Sequence, residues 1–161
     1  MIGYMDTSAL VKRYAPEKNS ELVKNLFQIQ NLLLVSSSWI VNEAVAALDK
    51  KIAKRQINQG EFDEALKTFF DHLEEASGIN KLVLLLVEPY LSTSLDLITK
   101  HHISADDALH LASALMVGVD LLIAGDKRLI EAARVEGIES YNVEIDADAQ
   151  LLRRTLEGAS Q

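Results

Sequence analysis

The chain has 161 residues and a mass of 17.8 kDa, and 48% of it is apolar, enough for one domain with a closed core. It has no cysteine, which excludes disulfides, thiolate metal sites and a thiol nucleophile; any metal must be held by oxygen or by one of four histidines. The net charge of −8, from 24 acidic against 16 basic residues, argues against coating nucleic acid by charge, so a phosphate-backbone substrate needs a local basic patch or a bound cation.

From the N-terminus, Met1 to Met5 is a short apolar run ending at Asp6 and is the first expected strand. It starts too early to leave room for a signal peptide, and the longest apolar run, Leu82 to Val87, is too short to span a bilayer. A soluble, cytoplasmic protein is therefore expected. Thr7 to Tyr14 reads as one or two helical turns stopped near Pro16, and Asn19 to Gln30 carries a helical pattern of Leu22, Val23, Leu26, Phe27 and Ile29. Asn31 to Ser37 reads as a buried strand. Ser37 to Gln56 reads as a long helix, apolar first and basic last, and Gly60 to Ser77 as a second amphipathic helix with Phe62, Ala65, Leu66, Phe69, Phe70 and Leu73 on one face.

Lys81 to Glu88 suits a strand covered on both faces, because such strands in parallel sheets read as continuous apolar runs. Pro89 opens a helix that continues to about His101. Ser104 to Val117 is a helix ended by Gly118, Val119 to Gly125 a strand, Asp126 to Glu136 a helix stopped by Gly137, and Ile138 to Val143 a last strand. Strands alternating with helices imply a three-layer α/β/α sandwich with a mainly parallel central sheet. The expected division is one domain over residues 1–145 and a polar, alanine-rich tail, a loose terminal helix, over 146–161.

The acids fall where such a sheet binds ligands, outside the carboxyl ends of its strands. Asp6 ends the first strand, Asp126 follows the "LLIAG" strand, Asp107 lies in the first turn of its helix, and Glu43 interrupts the apolar "WIVNEAVAAL". Taken singly, each has an ordinary explanation: Asp6 and Asp126 as helix caps, Ser104 with Asp107 as a capping box, Glu43 as a solvated position. Capping explains neither the charge inside an apolar stretch nor Asp106 standing beside Asp107. Two carboxylates about 5 Å apart repel by roughly 3 kcal/mol at an effective dielectric near 20. A divalent cation relieves that repulsion, and Mg²⁺ or Mn²⁺ suits an oxygen site of this kind.

Four segments, "YMDTSALVKRY", "NEAVAAL", "DALHLASAL" and "AGDKRLIEAARVEGI", occur in the order and spacing of a PIN-domain protein, and the chain most resembles the VapC-type ribonuclease toxins. The resemblance covers roughly Ile2 to Val143. It implies a parallel sheet with strand order 3-2-1-4-5, a homodimer, and an antitoxin that occupies the cleft. It also implies an acidic quartet of Asp6, Glu43, Asp107 and Asp126, catalytic and metal-binding, in which Asp6 and Asp107 are expected as direct ligands and Glu43 and Asp126 as second-site or water-mediated ones. Ser8 and Asp106 are secondary residues. Family members often carry Thr or Ser where this chain has Ala124, a departure that removes one hydroxyl from the expected metal site.

The function this implies is endoribonucleolytic cleavage of RNA in which a metal-activated water attacks the phosphodiester, leaving a 5′-phosphate and a 3′-hydroxyl, with the chain as the toxin of a type II toxin–antitoxin pair. Lys12, Arg13, Lys127 and Arg128, each following one of the acids, are the expected RNA contacts, with Lys50, Lys51, Lys54 and Arg55 extending the helix of Glu43. His110, one turn after Asp107, reads as a packed or hydrogen-bonded structural histidine. Two other readings compete. A haloacid-dehalogenase-type phosphatase wants a second aspartate two residues after the first, where this chain has Ser8. A degenerate PIN domain would serve as a non-catalytic scaffold for RNA or protein.

Overall fold

The computed structural model describes residues 1–75 and 82–158, and in it the predicted strands form one parallel sheet. The strands are β1 (Ile2–Met5), β2 (Leu33–Ser37), β3 (Leu82–Leu85), β4 (Leu121–Ala124) and β5 (Glu139–Asn142), in the order β3-β2-β1-β4-β5. That is the expected order, with β1 at the centre. Gly3 pairs with Leu34 on one side and Leu121 on the other, and a Cβ on it would meet the side chains of Leu32, Leu121 and Leu34 at 3.1–3.3 Å. The leucines of the neighbouring strands thus close over β1 where it carries no side chain.

The helices are α1 (Thr7–Leu10), followed by a 3-10 turn over Val11–Arg13, α2 (Ser20–Leu26), α3 (Ile40–Ala53) and α4 (Gln59–Glu75). After a 3-10 turn over Glu88–Tyr90 come α5 (Leu91–His101), α6 (Ala105–Val117), α7 (Lys127–Val135) and α8 (Asp146–Gly158). The strand period of two sorts side chains between the faces of the sheet. Met5, Leu121 and Ile123 join Leu10, Leu26, Ile40 and Phe69 in one buried cluster, whereas Tyr4, Leu122 and Ala124 join Leu97, Leu111 and Leu129 in the other. The sheet is therefore sandwiched between α5–α7 and the remaining helices, a three-layer α/β/α fold. Among the described residues no helix is long and apolar enough to cross a membrane.

Two expectations need correction. The apolar run of β3 is not covered on both faces: β3 is an edge strand paired only with β2, and Val83 is 46% exposed. An apolar run reports hydrophobicity, not the position of a strand in the sheet. The chain after Ile145 is not a loose end either. Ala149, Leu152 and Leu156, spaced i, i+3 and i+7 along α8, enter the first cluster, and Arg134 of α7 donates to Asp148 Oδ2 at 2.7 Å. Ala76, Ser77 and Lys81, which the sequence pattern places in a helix and a strand, lie outside the described residues, as do the last three residues of the expected tail.

Leu152 has no exposed surface, so Leu152→Ala is expected to lower the unfolding free energy by about 3 kcal/mol, within the ~2–5 kcal/mol typical of buried leucines. Urea unfolding followed by circular dichroism measures it, and a loss below about 0.5 kcal/mol would place α8 outside the cooperative core.

Candidate active site

The strand order reverses direction at β1, from which the chain builds outward through β2 and β3 on one side and then returns to add β4 and β5 on the other. The crevice of an open parallel sheet lies at such a switch point, beyond the strands' carboxyl ends. Asp6 is the first residue after β1, and its backbone N–H donates to the carbonyl of Ile123 at 3.0 Å, which extends the β1–β4 ladder by one residue. Asp126 follows β4 across Gly125. Glu43 and Asp107 arrive from the first turns of α3 and α6.

The capping explanations hold in the fold. Asp6 caps α1, its Oδ2 accepting from the Ser8 N–H at 2.9 Å and from the Ser8 hydroxyl. Asp126 caps α7, with Oδ1 accepting from the N–H groups of Arg128 at 2.7 Å and Leu129 at 3.1 Å. Ser104 caps α6 and donates its hydroxyl to Asp107 Oδ2 at 2.6 Å. Glu43 Oε2 accepts from the Thr7 hydroxyl at 2.7 Å and faces His110 Nε2 at 2.6 Å. In every case these hydrogen bonds engage one oxygen of the carboxylate. Among the described residues the other oxygen accepts none, and only Asp6 Oδ1 has a basic side chain within 4 Å, His110 Nε2 at 3.5 Å. The anchoring is itself supported, since the Gly125 N–H donates to the Ser8 hydroxyl at 2.6 Å and a Cβ on Gly125 would stand 3.2 Å from that oxygen.

Electrostatics registers the clustering. Burial pushes the half-buried Asp107 carboxyl up to about 6, the Ser104 hydrogen bond opposes this, and the negative charges of Asp126, Asp6 and Asp106 push it further up. Asp106 behaves oppositely: the Ser104 hydroxyl and nearby backbone N–H groups hold its carboxyl below the usual range. Asp106 is exposed and also lines an apolar cleft of about 910 Å³ with Trp39, Leu91 and Leu95. His110 is 1% exposed; burial opposes its charge, but Tyr4, the hydrogen bond to Glu43 and the Asp6 and Glu43 charges together raise its pKa well above that of an ordinary imidazole.

The expected RNA contacts divide into two groups. Lys12 is no surface residue: its side chain is 1% exposed, and its ammonium is 2.8 Å from Glu17 Oε2 and 2.5 Å from Glu144 Oε1. A lysine neutralised between two carboxylates is not available to phosphate, so that expectation is corrected. Lys51 also pairs with Glu17, and the Arg13 guanidinium lies over the Phe27 ring, 3.8 Å from its centroid. Lys127 and Arg128 remain exposed immediately after Asp126, Lys127 standing 3.5 Å from Glu131. Thr7, Tyr4 and Gly125 are site residues that the sequence pattern does not single out. The available signal is adjacency, since Thr7 and Gly125 flank Asp6 and Asp126 directly.

The donor chemistry fits a hard divalent cation. The available oxygens all belong to carboxylates, and Asp107 carries the electrostatic cost of their proximity. Among the described residues, no three His, Asp or Glu side chains converge as a complete ligand set. Mg²⁺ does not require one, because it ordinarily keeps several waters and takes one or two carboxylates.

The sequence matches the PIN domain family over residues 4–135. No curated protein matches it. Among solved structures the chain is similar to VapC20 of Mycobacterium tuberculosis, described as a sarcin-ricin loop cleaving toxin, with a TM-score of 0.59 and 15% identity over 81% of this chain and 94% of that one. It is also similar to PAE2754 from Pyrobaculum aerophilum, with a TM-score of 0.58 and 17% identity over 98% of this chain and 99% of that one. At these identities the likeness is one of fold.

In the metal-free protein, a carboxyl raised from 3.8 to about 6 binds more protons folded than unfolded within that window. Stability contributed there falls as pH rises through it, and the penalty is complete above about pH 6. Asp107→Asn removes the charge and keeps an acceptor for Ser104. It is expected to stabilise the metal-free protein at pH 7.5 by about 1–2 kcal/mol, a range discounted for the half-exposed carboxyl, and to give no gain at pH 4. Urea unfolding at the two pH values checks this; an equal effect at both would mean the gain does not come from charge.

Proposed function

The chain belongs to the PIN-domain family, and from that premise we propose that it is a divalent-metal-dependent endoribonuclease, a hydrolase of RNA phosphodiester bonds. The observation that carries this reading is the quartet of Asp6, Glu43, Asp107 and Asp126, brought from four separate elements and each anchored through one oxygen. The fold likeness to VapC20 supports the same reading. In this reading Asp6 and Asp107 hold Mg²⁺ or Mn²⁺ directly, and Glu43 and Asp126 hold it through water. The cation supplies Lewis acidity, stabilising charge on the phosphoryl and leaving oxygens and making water more acidic.

The protein's own groups do the rest. Ser8, tied to Gly125, fixes the rotamer of Asp6. Glu43 and Asp126, which hold the ion only through water in this reading, are the candidate general bases for the attacking water. Lys127 and Arg128 contact phosphates beside the scissile bond. No side-chain nucleophile is needed, and the products carry a 5′-phosphate and a 3′-hydroxyl. The chain acts as the toxin of a type II pair, in the cytoplasm, as a homodimer whose cleft is occupied by a cognate antitoxin when inhibited. Support for a protein partner comes from the exposed apolar face of α5, where Leu91 is 50% and Leu95 64% exposed beside Trp39.

Purified protein incubated with structured RNAs and Mg²⁺ or Mn²⁺ is expected to cut them, and chelator is expected to abolish cutting. Asp6→Asn and Asp107→Asn should each reduce the rate on the order of 100-fold or more while far-UV circular dichroism stays unchanged. RNA bound tightly but left intact across a broad panel would sink the enzyme and leave a scaffold; hydrolysis of a phosphomonoester with RNA spared would point to a phosphatase.

The two groups of basic residues separate in a second measurement. Lys127→Ala with Arg128→Ala is expected to weaken RNA binding and to reduce the slope of log affinity against log salt by roughly 0.7–0.9 for each phosphate no longer neutralised. Lys12→Met should lower thermal stability and leave that slope as it is; a changed slope for Lys12→Met would return this lysine to the RNA surface.

A further inference from the structure

His110 is the buried titratable group at the site for which the acid quartet leaves no role. It is bonded on both ring nitrogens. On one side Nε2 stands 2.6 Å from Glu43 Oε2 and 3.5 Å from Asp6 Oδ1. On the other, Nδ1 stands 2.8 Å from the Tyr4 hydroxyl, with the Ser37 hydroxyl at 3.4 Å. The Tyr4 oxygen also accepts from the Ser37 backbone N–H at 2.9 Å, and the Tyr4 and His110 rings meet edge to face with centroids 5.7 Å apart.

Donor and acceptor rules fix which nitrogen carries hydrogen. An ionised carboxylate only accepts, so a nitrogen 2.6 Å from Glu43 must donate, whether the ring is neutral or charged. In the neutral ring Nδ1 is then the acceptor, and the one donor the Tyr4 hydroxyl has points to it. The backbone N–H of Ser37 occupies the Tyr4 oxygen from the far side, so that hydroxyl is itself oriented by β2. In the neutral ring the chain Ser37 N–H, Tyr4, His110, Glu43 thus runs from the sheet to the carboxylate with every donor matched; in the charged ring Nδ1 donates to the Tyr4 oxygen instead, and Nε2 still donates to Glu43. Thr7 supplies a second donor to the same Oε2 at 2.7 Å.

Two donors on one oxygen fix the plane of a glutamate that would otherwise sample several rotamers. They leave Oε1 outside the hydrogen-bond network. We propose that His110 is a positioning residue, whose Nε2–H holds Glu43 so that Oε1 is the oxygen offered to a divalent cation, with Tyr4 orienting the imidazole from the sheet side. The proposal rests on the metal-dependent reading of the same site and assigns to His110 and Tyr4 a function that core packing alone would not need.

Mn²⁺ binding to the metal-free protein, followed by the electron paramagnetic resonance signal of the free ion, tests it without reference to catalysis. His110→Leu is expected to weaken Mn²⁺ binding by about 10- to 100-fold, the range seen when partners of metal ligands are removed. His110→Gln, whose amide nitrogen can replace Nε2 as donor, should recover most of that loss. Tyr4→Phe touches no carboxylate and is expected to weaken binding severalfold. If His110→Leu fails to fold, the Gln and Phe variants decide the matter.

Wild-type affinity in a folded His110→Leu or Tyr4→Phe variant would overturn the positioning role and leave the nuclease reading standing. No Mn²⁺ binding by the wild-type protein would overturn both. A long-range ¹H–¹⁵N spectrum of the metal-free wild-type protein gives an independent readout: Nε2 of His110 is expected to be protonated, and a ring with its only proton on Nδ1 would refute the assignment.

Discussion

Mutual repulsion among carboxylates brought near one another at the switch point of the sheet is the constraint that the local structure must accommodate. Asp6 and Asp126 follow adjacent strands, so the ladder that holds β1 beside β4 also holds their charges near each other. The chain offsets part of that cost locally. Asp126 and Asp107 stand at the N-terminal ends of α7 and α6, where backbone N–H groups and the helix dipole favour negative charge. His110 stands between Asp6 and Glu43. The compensation is incomplete, because Asp107 is still driven up to about 6. What remains is an excess of negative charge around Asp107.

Most of the architecture is legible in the sequence because the strands are short, apolar and bounded by Asp, Ser or Gly, while the helices show a clear period. Strand order follows from the family resemblance and not from periodicity. The errors have a common cause. The apolar run of β3 and the polar composition of α8 each invite reading as measures of burial, yet burial depends on neighbours. β3 lies at an edge and exposes Val83, whereas a mostly polar α8 needs only Ala149, Leu152 and Leu156 on one stripe to dock. Average polarity hides such a stripe when the rest of the helix is charged.

The acids of the site are also legible, and so are their ordinary explanations. Asp6 and Asp126 are caps, and capping does not exclude a second role, because a carboxylate has two oxygens and capping uses one. Lys12 is illegible for the opposite reason. It follows Asp6 by six positions on what reads as an exposed basic turn, but one of its partners, Glu144, lies at the far end of the chain. Pairings of that sequence separation leave no local pattern. The same holds for Tyr4, which reads as one more apolar strand residue until its hydroxyl is seen between Ser37 and His110.

Lys12 and Lys51 are both committed to carboxylates in a chain of net charge −8. Lys127 and Arg128 are the exposed basic residues that directly follow one of the acids. In the proposed reading a divalent cation bound among the acids would offset part of their negative charge where a phosphodiester approaches, coupling the binding of cation and RNA through charge. Anchoring each carboxylate through one oxygen restricts its rotamer and leaves the other oxygen outside these hydrogen bonds. The buried Lys12 ammonium is committed elsewhere, to Glu17 and Glu144.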